Sequence, residues 1–172
     1  MIGLVIIVIL LTLGMLFLAQ FALKERPEKK IFTRKGLAYS TMSAMMKTSI
    51  TDERCIAGFV GQSYPQLGKD IIEDCAVNKA NPEYSLYHCD GKHSCIFAFE
   101  QITLFLNSTL GQWNKNYEFN SHLIAPGSRN PVPLVVIKVK SGCPKTKDRD
   151  SSGEFFIQTD TGLVESELYL CD

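Results

Sequence analysis

An uninterrupted apolar run opens the chain and constrains everything after it. Residues 1–23 read MIGLVIIVILLTLGMLFLAQFAL, with no ionisable side chain before Lys24. About twenty apolar residues, at roughly 1.5 Å of helical rise each, match a bilayer core about 30 Å thick, whereas the apolar part of a secretory signal peptide is usually about 7–15 residues long. We therefore predict a long amino-terminal hydrophobic helix, with residues 1–23 as a membrane or filament-core segment, rather than a removable signal peptide.

Two signals in the chain disagree about the side of a membrane on which the rest lies. No Lys or Arg precedes the apolar run, and a basic flank follows it over residues 24–36, with six Lys and Arg against Glu25 and Glu28. The positive-inside rule would place this flank in the cytoplasm. Six cysteines follow, however, and an even set in a small domain indicates disulfides formed in an oxidising compartment. A basic leader removed ahead of Met1 would reconcile the two signals.

The first fifty residues are predicted to form an interrupted helical spine. Pro27 lacks a backbone donor and clashes with the preceding turn, so the helix should kink near it. Residues 37–50 then carry a small apolar stripe at spacings of three and four, which predicts an amphipathic helix. The positions of this spacing are Ala38, Met42, Met45, Met46 and Ser49. We divide the chain into this spine, residues 1–50, and an extracellular globular domain, residues 51–172.

Within the globular domain, the spacing of apolar residues changes from helical to strand-like. Two further helices are predicted first, and a carboxyl-terminal antiparallel sheet follows, with later strands near residues 135–140, 154–158 and 163–170. The fold class is therefore α+β, with a small disulfide-stapled domain. The positions behind this prediction are Leu67, Ile71 and Cys75 for one helix, Phe99, Ile102, Leu106 and Leu110 for the other, and Tyr117, Phe119, Ser121 and Leu123 for the first strand.

The cysteines are paired by their expected proximity, which leaves fifteen connectivities open in principle. Cys143 and Cys171 each end a predicted strand, and neighbouring strands would bring them together. Cys89 and Cys95 would close a turn around Asp90-Gly91, which leaves Cys55 to pair with Cys75. His88 and His93 lie in the same loop as Cys89 and Cys95, so a zinc site is the alternative there. The wide cysteine gap favours the disulfide, and we expect no metal.

Composition and motifs exclude several other classes of function. The formal net charge is zero, so the globular domain has no general attraction for nucleic acid. The chain has no G-x-S-x-G elbow, H-E-x-x-H pair or glycine-rich phosphate loop, and only three histidines. We therefore expect no enzyme, no catalytic residues and no cofactor. Asn107-Ser-Thr109 is a glycosylation sequon, and an unmodified asparagine is the equally open alternative.

The order of these features resembles the type IV pilin family and, more narrowly, archaeal pilin-like proteins. The start Met1-Ile-Gly-Leu-Val-Ile-Ile-Val-Ile-Leu-Leu resembles their apolar amino terminus after prepilin processing, and the Pro27 break resembles the proline interruption of pilin spines. The resemblance covers the first 50 residues by pattern and the remainder by general plan. It departs from the bacterial branch at Val5, where that branch carries a Glu.

The resemblance implies a structural subunit of a cell-surface filament. The apolar helix would first be held in the membrane and would then pack against copies of itself in a helical homopolymer, with the globular domain exposed for adhesion or surface contact. The predicted helix-core residues are Val5, Ile9, Leu13 and Leu16. Two alternatives stay open: an anchored extracellular binding or sensor domain that never polymerises, and a minor pilin that primes or tips a filament.

Overall fold

The computed structural model describes residues 2–23, 27–51, 55, 64–128, 130–139, 142–146 and 148–171, with side chains described in these ranges except at 2–5, 21–23 and 27–31. The chain divides into two compact units, Met1–Thr33 and Arg34–Asp172. The first unit holds α1, Ile2–Leu23, and the beginning of α2, Pro27–Met46. The second unit holds the remainder of α2, the later helices and the sheet.

The prediction of a long amino-terminal hydrophobic helix, kinked near Pro27, is wrong. Within the described ranges, no helix combines the length and the apolar character needed to cross a membrane. Pro27, where the kink was predicted, is the first residue of α2. Its missing N–H has no partner to lose at that position, and its fixed φ suits the start of a helix. Residues 24–26 lie outside the described residues.

The apolar stripe of α2 is buried in the second unit, as its spacing predicts. Ala38, Met42 and Met45 have no exposed surface. Next to the stripe, Gly68 approaches the end of α2 so closely that an added Cβ would lie 2.6 Å from the Met46 carbonyl oxygen. Two backbone hydrogen bonds of 2.8 Å, from Ile50 N–H to the Pro65 carbonyl and from Leu67 N–H to the Thr48 carbonyl, join the same segments.

Both further helices predicted for the second unit are present, and each includes a π-helical segment. A π-helical stretch, Leu67–Ile72, leads into α3, Glu73–Asn78. A 3-10 turn, Pro82–Tyr84, precedes α4, Ser94–Leu106, which continues as a second π-helical stretch, Asn107–Gly111. Ile102, Leu106 and Leu110 of the predicted ridge are fully buried, whereas Phe99 is 44% exposed.

The second unit is completed by an antiparallel sheet of five strands. These are β1 (Asn116–Ile124), β2 (Val132–Lys138), β3 (Arg149–Ser151), β4 (Phe155–Thr159) and β5 (Gly162–Cys171). The order is β2-β1-β5-β3, and β4 also pairs with β5. Alternate residues of β1 and β5 are buried, so one face of the sheet covers the core that it shares with α2, α3 and α4.

Two close polar contacts stabilise this packing. Ser121 and Ser166 are both fully buried, and their hydroxyl groups are hydrogen-bonded at 2.9 Å across β1 and β5. Arg34 Nε lies 2.6 Å from Asp150 Oδ2 in an ion pair whose side chains are 8% and 12% exposed. The pair joins α2 to β3 across 116 positions of sequence. Because both charges are largely desolvated, removing either one leaves the other buried without its partner.

The three disulfides confirm one predicted pairing and correct two. Cys143 pairs with Cys171, as predicted from the strand ends. The predicted Cys55–Cys75 and Cys89–Cys95 bridges are wrong, because the structure joins Cys55 to Cys89 and Cys75 to Cys95.

The packing of the helices explains these corrections. α3 and α4 lie side by side, which places the Cα atoms of Cys75 and Cys95 4.7 Å apart. The turn at Asp90-Gly91 needs no disulfide, since Lys92 N–H donates to the Cys89 carbonyl at 3.0 Å. Three disulfides indicate that the chain is an extracellular or secreted protein.

Candidate assembly surface

The described side chains of α1 form an apolar surface that nothing in its own unit covers. Every residue from 6 to 20 is exposed. Eleven large apolar side chains between residues 6 and 18 are 51% to 72% exposed. We call residues 6–20 the apolar helix surface. Contiguous apolar surfaces of this kind on soluble proteins mark sites that bind protein or lipid.

The polar groups of this surface are few and add no charge to it. Thr12 and Gln20 are the only polar side chains from residue 6 to residue 20. The Thr12 hydroxyl donates to the Ile9 carbonyl at 3.0 Å within the same helix. Because that donor is satisfied locally, Thr12 can enter an apolar contact without leaving an unpaired hydroxyl proton.

Three of the four predicted helix-core residues lie on this surface, but the structure does not single out their face. Ile9, Leu13 and Leu16 are 51%, 58% and 63% exposed. Their spacing of four and three places them along one side of α1. Val5 lies in α1, and its side chain is outside the described residues. Leu10, on another side of the helix, is 64% exposed, so the whole circumference is available for packing.

One member of the predicted basic flank has a structural role instead. Arg34 is 7% exposed and is held by Asp150, whereas the neighbouring Lys35 is exposed. The sequence gives no signal for this difference, because Asp150 is distant along the chain. The other Lys and Arg of the basic flank are Lys24, Arg26, Lys29, Lys30 and Lys35, against Glu25 and Glu28.

The histidine and cysteine loop builds the beginning of α4. His93 caps this helix, with its Nδ1 accepting from Cys95 N–H at 3.2 Å. Cys89 and Cys95 belong to different disulfides, so neither offers a thiolate. Within the ranges that the structure describes, His, Cys, Asp and Glu form no group of three or more able to hold a metal ion.

Next to this loop lies a buried network of hydrogen bonds around a carboxylate, which the sequence does not predict. Asp74 is 4% exposed and accepts hydrogen bonds from the Ser85 hydroxyl, from Leu86 N–H at 2.9 Å and from Asn78 Nδ2 at 2.7 Å. Ser85 and Ser94 are joined through their hydroxyl oxygens at 3.1 Å. Since both oxygens of the carboxylate accept hydrogen bonds, the network fixes the loop before α4.

On the outer face of the sheet, Glu118 holds the chain beside the Cys143–Cys171 disulfide. Its carboxylate accepts from Asn120 Nδ2 at 3.1 Å and from Cys143 N–H at 3.0 Å, and it lies 3.2 Å from Lys138 Nζ. Burial alone would raise the pKa of Glu118. The three donors outweigh burial and hold this pKa below its ordinary value.

A second carboxylate, Glu167, joins β3 to β5 on the same face. It accepts from the hydroxyl groups of Ser151 and Tyr169. The Arg149 guanidinium lies 4.4 Å from the centre of the Tyr169 ring. Burial, reinforced by the Glu167 carboxylate, raises the pKa of Tyr169 to about 12. These contacts stabilise the edge of the sheet. They give Glu118 and Glu167 a structural role.

The sequon asparagine lies on the surface, in the π-helical stretch after α4. Asn107 is exposed, and its Oδ1 accepts from the Tyr117 hydroxyl at 2.7 Å. The Thr109 hydroxyl donates to the Phe105 carbonyl at 2.8 Å. Glycosylation at Asn107 stays a prediction.

Comparison with known proteins adds no relative. No protein-family model, no curated protein and no solved structure matches the chain. Fold and surface therefore define the class by themselves: an extracellular or secreted α+β protein with three disulfides, preceded by a helix whose described side chains are apolar and exposed.

Proposed function

We propose that this chain is a structural subunit of a cell-surface filament of the type IV pilin kind, close to archaeal pilin-like proteins, and that copies polymerise through α1. The observation that carries the proposal is the apolar helix surface, which is exposed around its whole circumference. A helix that is apolar on all sides is stable only where other apolar groups surround it. Identical helices of neighbouring copies supply such groups on every side.

The free energy available from this packing is large enough to drive assembly. Complete burial of one large apolar side chain contributes about 1.5–3 kcal/mol, so covering a side chain that is still about half exposed contributes roughly 1 kcal/mol. Eleven such side chains therefore supply on the order of 10 kcal/mol per subunit. Association costs about 4–15 kcal/mol in lost freedom of motion. The gain matches that cost only if most of the circumference is covered, which favours several neighbours over a single partner.

The second unit suits the outer surface of such a filament. Its core is buried and its three disulfides limit unfolding outside the cell. This unit would then be presented for adhesion or surface contact. Before assembly the apolar helix surface would be held at the membrane by lipid, whose acyl chains make similar apolar contacts. A minor pilin would use the same surface but would occupy only the tip or base of a filament.

Removal of detergent from the purified full-length protein tests the proposal. We expect fibres in negative-stain electron microscopy, with sedimentation that depends on protein concentration. In a parallel sample, detergent is exchanged for lipid vesicles. If neither sample contains fibres and the protein stays as dispersed monomers in the vesicles, the filament proposal is wrong and the anchored binding or sensor domain takes its place.

A further inference from the structure

A groove on the second unit combines exposed apolar side chains with an excess of carboxylates. It has a volume of about 270 Å³ and lies between the helical segment 67–78, the loop before α4 and the β4–β5 turn. Val77 and Leu86 line it and are 38% and 62% exposed. The other lining residues are Asp70, Glu73, Asp74, Asn78, Tyr87 and Asp160. None of the described residues that line this groove is Lys or Arg, and we call it the acidic groove.

Two of its carboxylates have no partner within the second unit as described. Asp74 is used in the buried network, and Asp70 Oδ2 accepts from Gln66 N–H at 2.6 Å. For Glu73 and Asp160, the described part of the chain contains neither a hydrogen bond nor an ion pair to the side chain. The surface therefore presents an excess of negative charge beside exposed apolar atoms, which Lys69 offsets only in part at Glu73.

The pKa values of Glu73 and Tyr87 reflect this excess of negative charge. Burial raises the pKa of Glu73, and Asp70, Asp160 and Asp74 raise it further, while Lys69 on the preceding turn lowers it. Burial and the carboxylates of Asp70, Asp74 and Glu73 likewise raise the pKa of Tyr87. A cation brought into the acidic groove would relieve the repulsion among these carboxylates.

The same chain carries the complementary charge. The basic flank has five Lys and Arg other than Arg34, against Glu25 and Glu28. Phe32 lies within it and is 82% exposed, so the flank also offers an apolar side chain. The flank directly follows α1 in the sequence. Packing of α1 against neighbouring copies would therefore place the flank next to the contacts between copies.

We propose that the acidic groove binds the basic flank of a second copy of this chain, so that each contact between copies combines the apolar helix surface with a charged pair of surfaces. This inference rests on the proposed function. It adds a direction to assembly, because the groove and the flank are different surfaces and their contact is head to tail. Such a contact extends into an open helical filament when the rotation between copies does not close a ring. Charge complementarity also selects this register over registers that place like charges together.

Zero-length cross-linking between copies tests the contact directly. Equal amounts of full-length protein with natural and with heavy nitrogen are mixed before detergent is removed. A carbodiimide then joins lysines to carboxylates that are in contact. We expect mixed-isotope peptides that link Lys29 or Lys30 to Glu73 or Asp160, and a severalfold lower yield in 0.5 M salt, because screening reduces such contacts.

Charge reversal provides the matched variants. Glu73→Lys should lower the yield of links from Lys29 or Lys30 to Asp160, a carboxylate that this variant retains, at least tenfold. Glu154→Lys, an equal charge change at an exposed site outside the groove, should leave that yield unchanged. Mixing Glu73→Lys with a Lys29→Glu, Lys30→Glu double variant should restore links between the two variants, because the altered charges are again opposite. Equal losses in the Glu73 and Glu154 variants would overturn the inference.

The two proposals fail separately in this experiment. Fibres without mixed-isotope links at the groove would overturn the docking of the flank and leave the filament standing. Fibres whose groove links occur only within single copies would also overturn the docking of the flank and leave the filament standing. Mixed-isotope links in small oligomers that never elongate would support the docking and overturn the filament. If neither fibres nor links between copies form, both proposals are wrong.

Discussion

Replacement of Ile9 by aspartate is the perturbation that most directly tests packing through α1. Ile9 is 51% exposed and belongs to the predicted helix-core face. In a filament its side chain would contact helices of neighbouring copies. Ile9→Asp places a carboxylate in that apolar contact, while the second unit, which holds the buried core, is unaltered.

The expected loss can be estimated from the structure. Covering the exposed half of Ile9 contributes roughly 1 kcal/mol. A carboxylate surrounded by apolar helices costs about 3 kcal/mol more. The total of about 4 kcal/mol per subunit corresponds to about a thousandfold weaker association. The lowest protein concentration that supports fibres should rise by about that factor, which removes fibres at ordinary concentrations.

The assay compares fibre yield by sedimentation and electron microscopy at a series of protein concentrations. Ile9→Leu retains apolar character and volume and should assemble like the original chain. Ser40→Asp adds the same charge at an exposed position of α2 and should also assemble. Thermal unfolding of the second unit should be the same in all variants. Fibres of Ile9→Asp at the original concentration would refute packing through this face of α1.

Three further changes test the second unit by chemical denaturation followed by circular dichroism. Arg34→Met should lower the free energy of unfolding by about 3 kcal/mol, because it leaves Asp150 buried without its cation. Adding Asp150→Leu should recover most of the loss. If nothing is recovered, the loss does not come from the unpaired charge of Asp150. Glu118→Gln should cost about 1–2 kcal/mol at pH 7 through weakened charge-assisted hydrogen bonds. Since folding lowers the pKa of Glu118, its contribution is complete above the unfolded pKa of about 4.3 and should be lost as pH falls from there through the lower folded pKa. A loss that is constant with pH would contradict this account. Gly68→Ala should destabilise by about 1–3 kcal/mol because its Cβ would overlap the backbone of α2, while Gly36→Ala, with open space around the added atom, should not destabilise.

The sequence predicts those parts of the fold that depend on local periodicity. The burial of Met42 and Met45 follows from helical spacing, and the buried face of β1 follows from its alternation. The pairing of Cys143 with Cys171 was predicted correctly, but not for the expected reason: Cys143 follows β2, Cys171 ends β5, and β1 lies between these two strands. For the buried faces of α2 and β1, by contrast, the periodicity of one element carries enough information.

Contacts between distant segments could not be predicted in the same way. The Cys75–Cys95 pairing depends on α3 lying beside α4, and the arginine of the buried ion pair is 116 positions from its aspartate. Asp74 resembles any acidic helix residue until the loop that carries Ser85 folds over it. The prediction of a long amino-terminal hydrophobic helix was wrong, since no described helix is both long enough and apolar enough to cross a membrane.

The position of residues 6–20 in assembled material tests the central claim most directly. A cryo-electron microscopy reconstruction of fibres grown from the full-length protein would locate these residues. Our account predicts that the apolar helix surfaces of several copies contact one another along the fibre axis, with the disulfide-bonded units outside. Fibres built from the second units alone, with residues 6–20 exposed to solvent or embedded in lipid, would contradict it.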